Sequence, residues 1–151
     1  MSDNPLDRIE KRSAQEPYAK LLGIEVLEIR PGYARVAMRF TPEMQNIFGM
    51  LHGGAVFSLL DEAFQLACNA RGEVAVAQQV NIYFLAPASA GARLVAEAKE
   101  LHATRKTAVF DICVYEDGDG EKPGRKLAAA QALAHRKGGQ LPLDEHGNLQ
   151  Q

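Results

Sequence analysis

Residues 46–69 read NIFGMLHGGAVFSLLDEAFQLACN, with a histidine and a glycine pair ahead of a long apolar run that carries acids in its middle. As a helix from Gly54 to Ala70, this segment sets Ser58, Asp61, Glu62, Gln65 and Asn69 at spacings of three and four, within a ~100° stripe of the helical wheel. Ala55, Val56, Phe57, Leu59, Leu60, Ala63, Phe64, Leu66, Ala67 and Cys68 fill the rest of the circumference. That is far more than one apolar stripe, so the helix is expected to be enclosed on most sides. A carboxylate on such a helix, Asp61 above all, needs a reason to be there.

The helix start offers one. First-turn N–H groups lack intrahelical partners and carry the positive end of the helix dipole. Gly53 and Gly54 put no side chain in the way of a carbonyl approaching those groups, which makes the turn an oxyanion site. A glycine pair equally serves as a plain entry turn, so the pair alone decides nothing.

Outward from the helix, the pattern changes period. On the N-terminal side, residues 5–22 read as a helical entry with Leu6, Ile9, Leu21 and Leu22 apolar and Pro17 interrupting. Ile24 to Arg30 and Tyr33 to Phe40 then alternate around Pro31-Gly32, a hairpin signal. On the C-terminal side come strand-like segments at Val74–Leu85, Ala92–His102, Thr107–Glu116 and Lys126–His135, with PASAG and DGDGEKPG as turn clusters. The alanine-rich LAAAQALAH favours helix by propensity, but the turn before it places it as an edge or near-edge strand. One long helix among antiparallel strands implies an α+β fold, a curved antiparallel sheet wrapped around the central helix. The organisation expected is an entry segment at 1–22, one domain at 23–137 and a polar, poorly ordered tail at 138–151.

Composition excludes several classes. A net charge of −2 over 151 residues leaves no basic footprint for nucleic acid. The start, MSDNPLDRIEKR, is too charged for a signal peptide, and no apolar run reaches membrane-spanning length. Cys68 and Cys113 stand apart in sequence, which suits reduced thiols in a cytoplasmic protein. His102, His135 and His146 are scattered without metal-ligand spacing, and DGDGE at 117–121 lacks the glycine and glutamate positions of a calcium loop, so no metal is expected.

The whole string is more specific than its parts. Asn46, then His52 before Gly53-Gly54, then Asp61 within FSLLDEAFQLACN, resembles the PaaI-like acyl-CoA thioesterases of the hotdog-fold superfamily. The likeness continues through QQVNIYFLAPASAGARLVAEAKELHATRKTAVFDICVY to the strand ending near His135. It implies hydrolysis of an acyl-CoA, with coenzyme A as part of the substrate and no separate cofactor. It further implies Asp61 as base or nucleophile, Gly53 as oxyanion donor, Asn46 orienting thioester or water, and His52 shaping the loop that feeds the donor. Gly54 lies with them on the substrate side. Phenylacetyl and related aromatic acyl groups lead by resemblance, with Phe48, Phe57, Phe64 and Tyr83 as lining candidates and medium-chain acyl groups open.

Axial distance adds a reading of assembly. At ~1.5 Å rise per residue, Asp61 lies ~12 Å along the helix from Gly53, whereas both must reach a single carbonyl. Two antiparallel helices across a two-fold axis bring Gly53 of one subunit to Asp61 of another. The resemblance implies the same shared site in a homo-oligomer, a dimer or a dimer-of-dimers homotetramer.

One position departs from several relatives: Ala77 stands where a Ser or Thr faces the site, so Gln78 or Gln79 substitutes or Asp61 works without that partner. Arg105 and Lys106 are candidates for the coenzyme A phosphates. Two other functions fit the fold. A hydroxyacyl thioester dehydratase would need a His/acid pair abstracting an α-proton. A non-catalytic acyl-CoA-binding regulatory module would have no use for a buried carboxylate.

Overall fold

The computed structural model describes residues 4–118 and 121–150. Two short helices, α1 (Pro5–Ser13) and α2 (Pro17–Leu22), lead into the hairpin β1 (Glu25–Arg30) and β2 (Tyr33–Arg39), and a 3₁₀ turn at Pro42–Met44 precedes α3 (Gly53–Asn69). Four strands follow: β3 (Ala75–Phe84), β4 (Arg93–Ala103), β5 (Thr107–Glu116) and β6 (Lys126–Arg136). All pair antiparallel in one sheet of order β1-β2-β4-β5-β6-β3. Pro17 opens α2 at its first position, where a missing N–H is harmless. That is the interruption the sequence marks.

The long helix contacts every strand of the sheet, so the sheet wraps it as expected. Leu59, Leu60, Ala63 and Phe64 of α3 are buried against Val36, Met38, Leu94, Phe110 and Val114. Phe64 meets Phe110 edge-on at 5.3 Å between ring centroids, a favourable quadrupole arrangement. Asn69 ends the helix by accepting the Ala75 N–H at 2.9 Å and donating to the Ala75 carbonyl at 3.0 Å. The side chain thereby copies a strand partner and fixes where β3 begins.

β6 is a strand despite its alanines because both its edges are paired, to β5 and to β3. Ala128, Ala130, Ala132 and Ala134 all face the core, a period of two that propensity alone ignores. β1 and β3 are the two outer strands, and among the described residues each leaves one hydrogen-bonding edge open.

The entry segment packs onto the domain, with Ile9 buried in the same core cluster as α3. The tail makes contacts too. Val74 N–H donates to the Gly139 carbonyl, Arg8 donates to the Leu141 carbonyl at 2.7 Å, and Leu143 is only 8% exposed. Two leucines anchor a segment whose average composition is polar. Among the described residues no helix is long and apolar enough to cross a membrane.

Candidate active site

The start of α3 is built by His52. It is the N-cap in extended conformation, and its Nδ1 accepts the Gly54 N–H at 2.8 Å. Ala55 and Val56 donate to the His52 carbonyl. Gly53, at the first helical position, has no intrahelical acceptor, so its N–H is the donor the turn leaves over. Gly54 sits on the substrate side in the sequence reading, but its N–H is committed to the cap. A Cβ on Gly54 would stand 3.0 Å from His52 Nδ1, and one on Gly53 would stand 3.3 Å from the Phe84 ring.

Asn46 shapes the loop before the helix. Its Oδ1 accepts the N–H groups of Phe48 at 2.9 Å and Met50 at 3.1 Å, an Asx turn closed by Asn46 N–H to the Met50 carbonyl. With its oxygen fixed by two donors, the amide nitrogen remains to give a hydrogen bond. Asn46 and Gly53 line a common pocket of about 380 Å³ with Met50, Val56, Phe84 and Leu127.

Asp61 opens elsewhere. It lines a pocket of about 430 Å³ with Ile9, Arg12, Glu16, Phe64, Gln65, Cys68 and Ala77, among others. Burial raises its carboxyl above the usual range, and the charge of Glu16 adds to the rise. A more basic carboxylate is a better proton acceptor near neutral pH. Cys68 in the same pocket is no competitor as nucleophile, since burial pushes its thiol up to about 12.

Asp61 is nevertheless only half-buried, and the buried acid of the helix is its neighbour. Glu62 is 5% exposed, with Oε1 unpaired. Gln65 Nε2 donates to Glu62 Oε2 at 3.2 Å and to Glu16 Oε2 at 2.7 Å. Burial first, then the nearby charge of Glu16, push Glu62 up to about 8. Thus the polar stripe is split: Asp61 and Gln65 face outward, whereas Glu62 lies beneath the entry segment with Glu16. Glu16 and Glu62 went unrecognised in the sequence, where the only signal was a second acid beside Asp61.

The remaining candidates lie apart from Asp61. Ala77 shares its pocket, but Gln78 and Gln79 are exposed and are not among its lining residues. Gln78 falls at a bulge, since β6 pairs Ala134 with Ala77 and Leu133 with Gln79. Arg105 and Lys106 are exposed in the β4–β5 turn, which Thr104 Oγ1 closes by accepting the Lys106 and Thr107 N–H groups. Pairing of Thr107 with His135, and of His135 with Val76, puts that turn at the Ala77 end of the sheet. Of the acyl-lining candidates, Phe64 is core, whereas Phe48 and Tyr83 are exposed. No group of three His, Cys, Asp or Glu that could hold a metal occurs among the described residues. Asp119 and Gly120 of the DGDGE run lie outside them.

Residues 48–122 match the Thioesterase superfamily, a span that holds both Gly53 and Asp61. The acyl-coenzyme A thioesterase PaaI of Escherichia coli is 38% identical over 123 residues, covering 82% of this chain and 84% of that protein. This chain belongs to the thioesterase superfamily, in its PaaI-like branch. It is a thioester hydrolase of hotdog fold. The structure of E. coli PaaI is similar with a TM-score of 0.80 at 34% identity, over 90% of this chain and 98% of that one. A variant of the phenylacetic acid degradation protein PaaI from Thermus thermophilus gives 0.73 at 34% identity, over 80% and 99%. In this thioesterase Gly53 and Asp61, the donor and the acid expected from the sequence, line different pockets of one chain.

Proposed function

We propose that this thioesterase hydrolyses aromatic acyl-CoA thioesters, phenylacetyl-CoA or a close relative, to the free acid and coenzyme A. Asp61 acts as base on water or as nucleophile, and the Gly53 N–H of a second subunit receives the oxyanion. Asn46 Nδ2 donates to the thioester or the water, and His52 holds the turn. Coenzyme A arrives as part of the substrate, its phosphates meeting Arg105 and Lys106. The names of the E. coli and T. thermophilus relatives support the acyl-CoA and phenylacetate readings.

The observation that carries the shared site is the separation of Gly53 and Asp61 into two pockets. The open edge of β3 supports it, together with exposed Ile47, Phe48, Met50, Tyr83, Phe84 and Leu85. An unpaired edge beside exposed apolar side chains is a surface a second copy covers. The reading is of a dimer or dimer of dimers in the cytoplasm, with acyl-CoA rather than nucleic acid or membrane as its partner. At Ala77, Asp61 works without a hydroxyl partner, since both neighbouring glutamines lie outside its pocket. A dehydratase needs a histidine base, and the Nδ1 of His52 is taken by the cap.

A thiol-release screen over a panel of acyl-CoAs tests this directly. Release from aromatic acyl-CoAs above medium-chain ones is the expected result; release from medium-chain substrates alone would move the acyl assignment, and none at all would remove the activity.

A further inference from the structure

The entry segment covers one flank of α3 through polar contacts at defined points. Tyr18 hydroxyl pairs with Ser58 Oγ at 2.7 Å, and Ser58 donates to the Gly54 carbonyl at 2.8 Å. Further along the helix, Gln65 joins Glu16, the N-cap residue of α2, to Glu62 of α3. Glu16 and Glu62 thus present carboxyl oxygens to the same Gln65 Nε2, at 2.7 Å and 3.2 Å. Glu62 is more than nine-tenths buried and has an unpaired oxygen, so it is the group that gains most from losing its charge.

We propose that Glu62 is held in its uncharged form beside Glu16, and that this carboxyl pair, bridged by Gln65, is the positioning latch that pins the α1–α2 segment as a wall of the Asp61 pocket. Ile9, Arg12, Ser13 and Glu16 of that segment line the pocket with Asp61, so the latch sets its shape. The functional half of the inference rests on the thioesterase site placed at Asp61. The groups facing Glu62 are Glu16 from the start of α2 and Asp61 on its own helix, both negative. Arg12 of α1 and Cys68 of α3 line the adjoining pocket. Among the described residues no lysine or arginine forms an ion pair with Glu16, Asp61 or Glu62. When the Glu62 proton leaves to solvent, like charges oppose each other under the segment and the latch opens.

Hydrogen exchange of peptides covering 5–22, expressed as protection factors at pH 6 and pH 9, tests the latch on the full chain. In the wild type, protection should fall about tenfold per pH unit above the Glu62 midpoint, one proton being linked. Glu62→Gln, uncharged and of the same shape, should keep its protection at pH 9, while Glu16→Ala should lose it at both values. Alongside, KM for the acyl-CoA that is turned over should rise at high pH in the wild type and stay level in Glu62→Gln, whereas kcat keeps the profile set by Asp61. Equal wild-type protection at both pH values, or loss in Glu62→Gln matching the wild type, would overturn the latch. Absence of thioester hydrolysis would remove the Asp61 reading while the exchange result still decides the latch.

Discussion

His52 Nδ1 accepts the Gly54 N–H at 2.8 Å, which fixes Gly53 as the residue whose N–H is left open at the head of α3. Histidine here is a cap, a role usually filled by Asn, Asp, Ser or Thr. Its ring and the two glycines form one turn in which each part constrains the next.

Replacing that ring separates capping from chemistry. His52→Ala should lower stability by about 1 kcal/mol and lower kcat as well, because the freed turn no longer aims the Gly53 N–H. His52→Asn, a strong cap without an imidazole, should restore most of both. Urea unfolding beside steady-state kinetics reads the result. Rescue of stability without rescue of kcat would give the imidazole a direct role.

Gly53→Ala places a methyl 3.3 Å from Cε1 and Cζ of Phe84. The ring is half-exposed and can yield, so folding should survive while the donor tilts. Loss of one oxyanion donor lowers kcat on the order of 10²-fold with little change in KM. An unchanged kcat would put the donor elsewhere.

The buried acid gives stability a pH dependence of defined sign. Glu62 is raised from 4.5 to about 8, so between those values the folded state holds a proton that the unfolded state has lost. The contribution of Glu62 to stability is therefore highest below pH 4.5, falls as pH rises toward 8 and levels off above it. Glu62→Gln should flatten that fall and raise the urea midpoint at pH 8 relative to wild type. The opposite slope, with stability climbing from pH 5 to 8 and depending on Glu62, would refute the assignment.

The sheet and the long helix were legible because their periods of two and near four are written in apolar positions, and the turns lie in glycine and proline clusters. The alanines of β6 carry no such preference; only the preceding turn and the family pattern pointed to a strand, and its two paired edges supply the reason. Which acid is buried was not legible. A helical wheel gives Asp61 and Glu62 neighbouring angles, but it contains nothing about α2 folding back over one flank, and that is what buries Glu62 and leaves Asp61 at a pocket. Likewise the tail looks free in the sequence until Arg8 of α1 and Val74, just before β3, provide partners for the Leu141 and Gly139 carbonyls. The roles of Asn46 and His52 came from resemblance; their hydrogen bonds explain why these side chains suit the loop.

Whether Gly53 and Asp61 meet across a subunit interface decides how the site is completed. Asp61→Asn and a disruptive Gly53→Val variant, each inactive alone, should be mixed, exchanged and assayed for thiol release. A heterodimer then has one site with both groups intact and one with both lesions, so activity should recover to about half of wild type per heterodimer, for independent sites in a two-fold assembly. Proven subunit exchange with no recovered activity would contradict the shared site and require each protomer to complete its own.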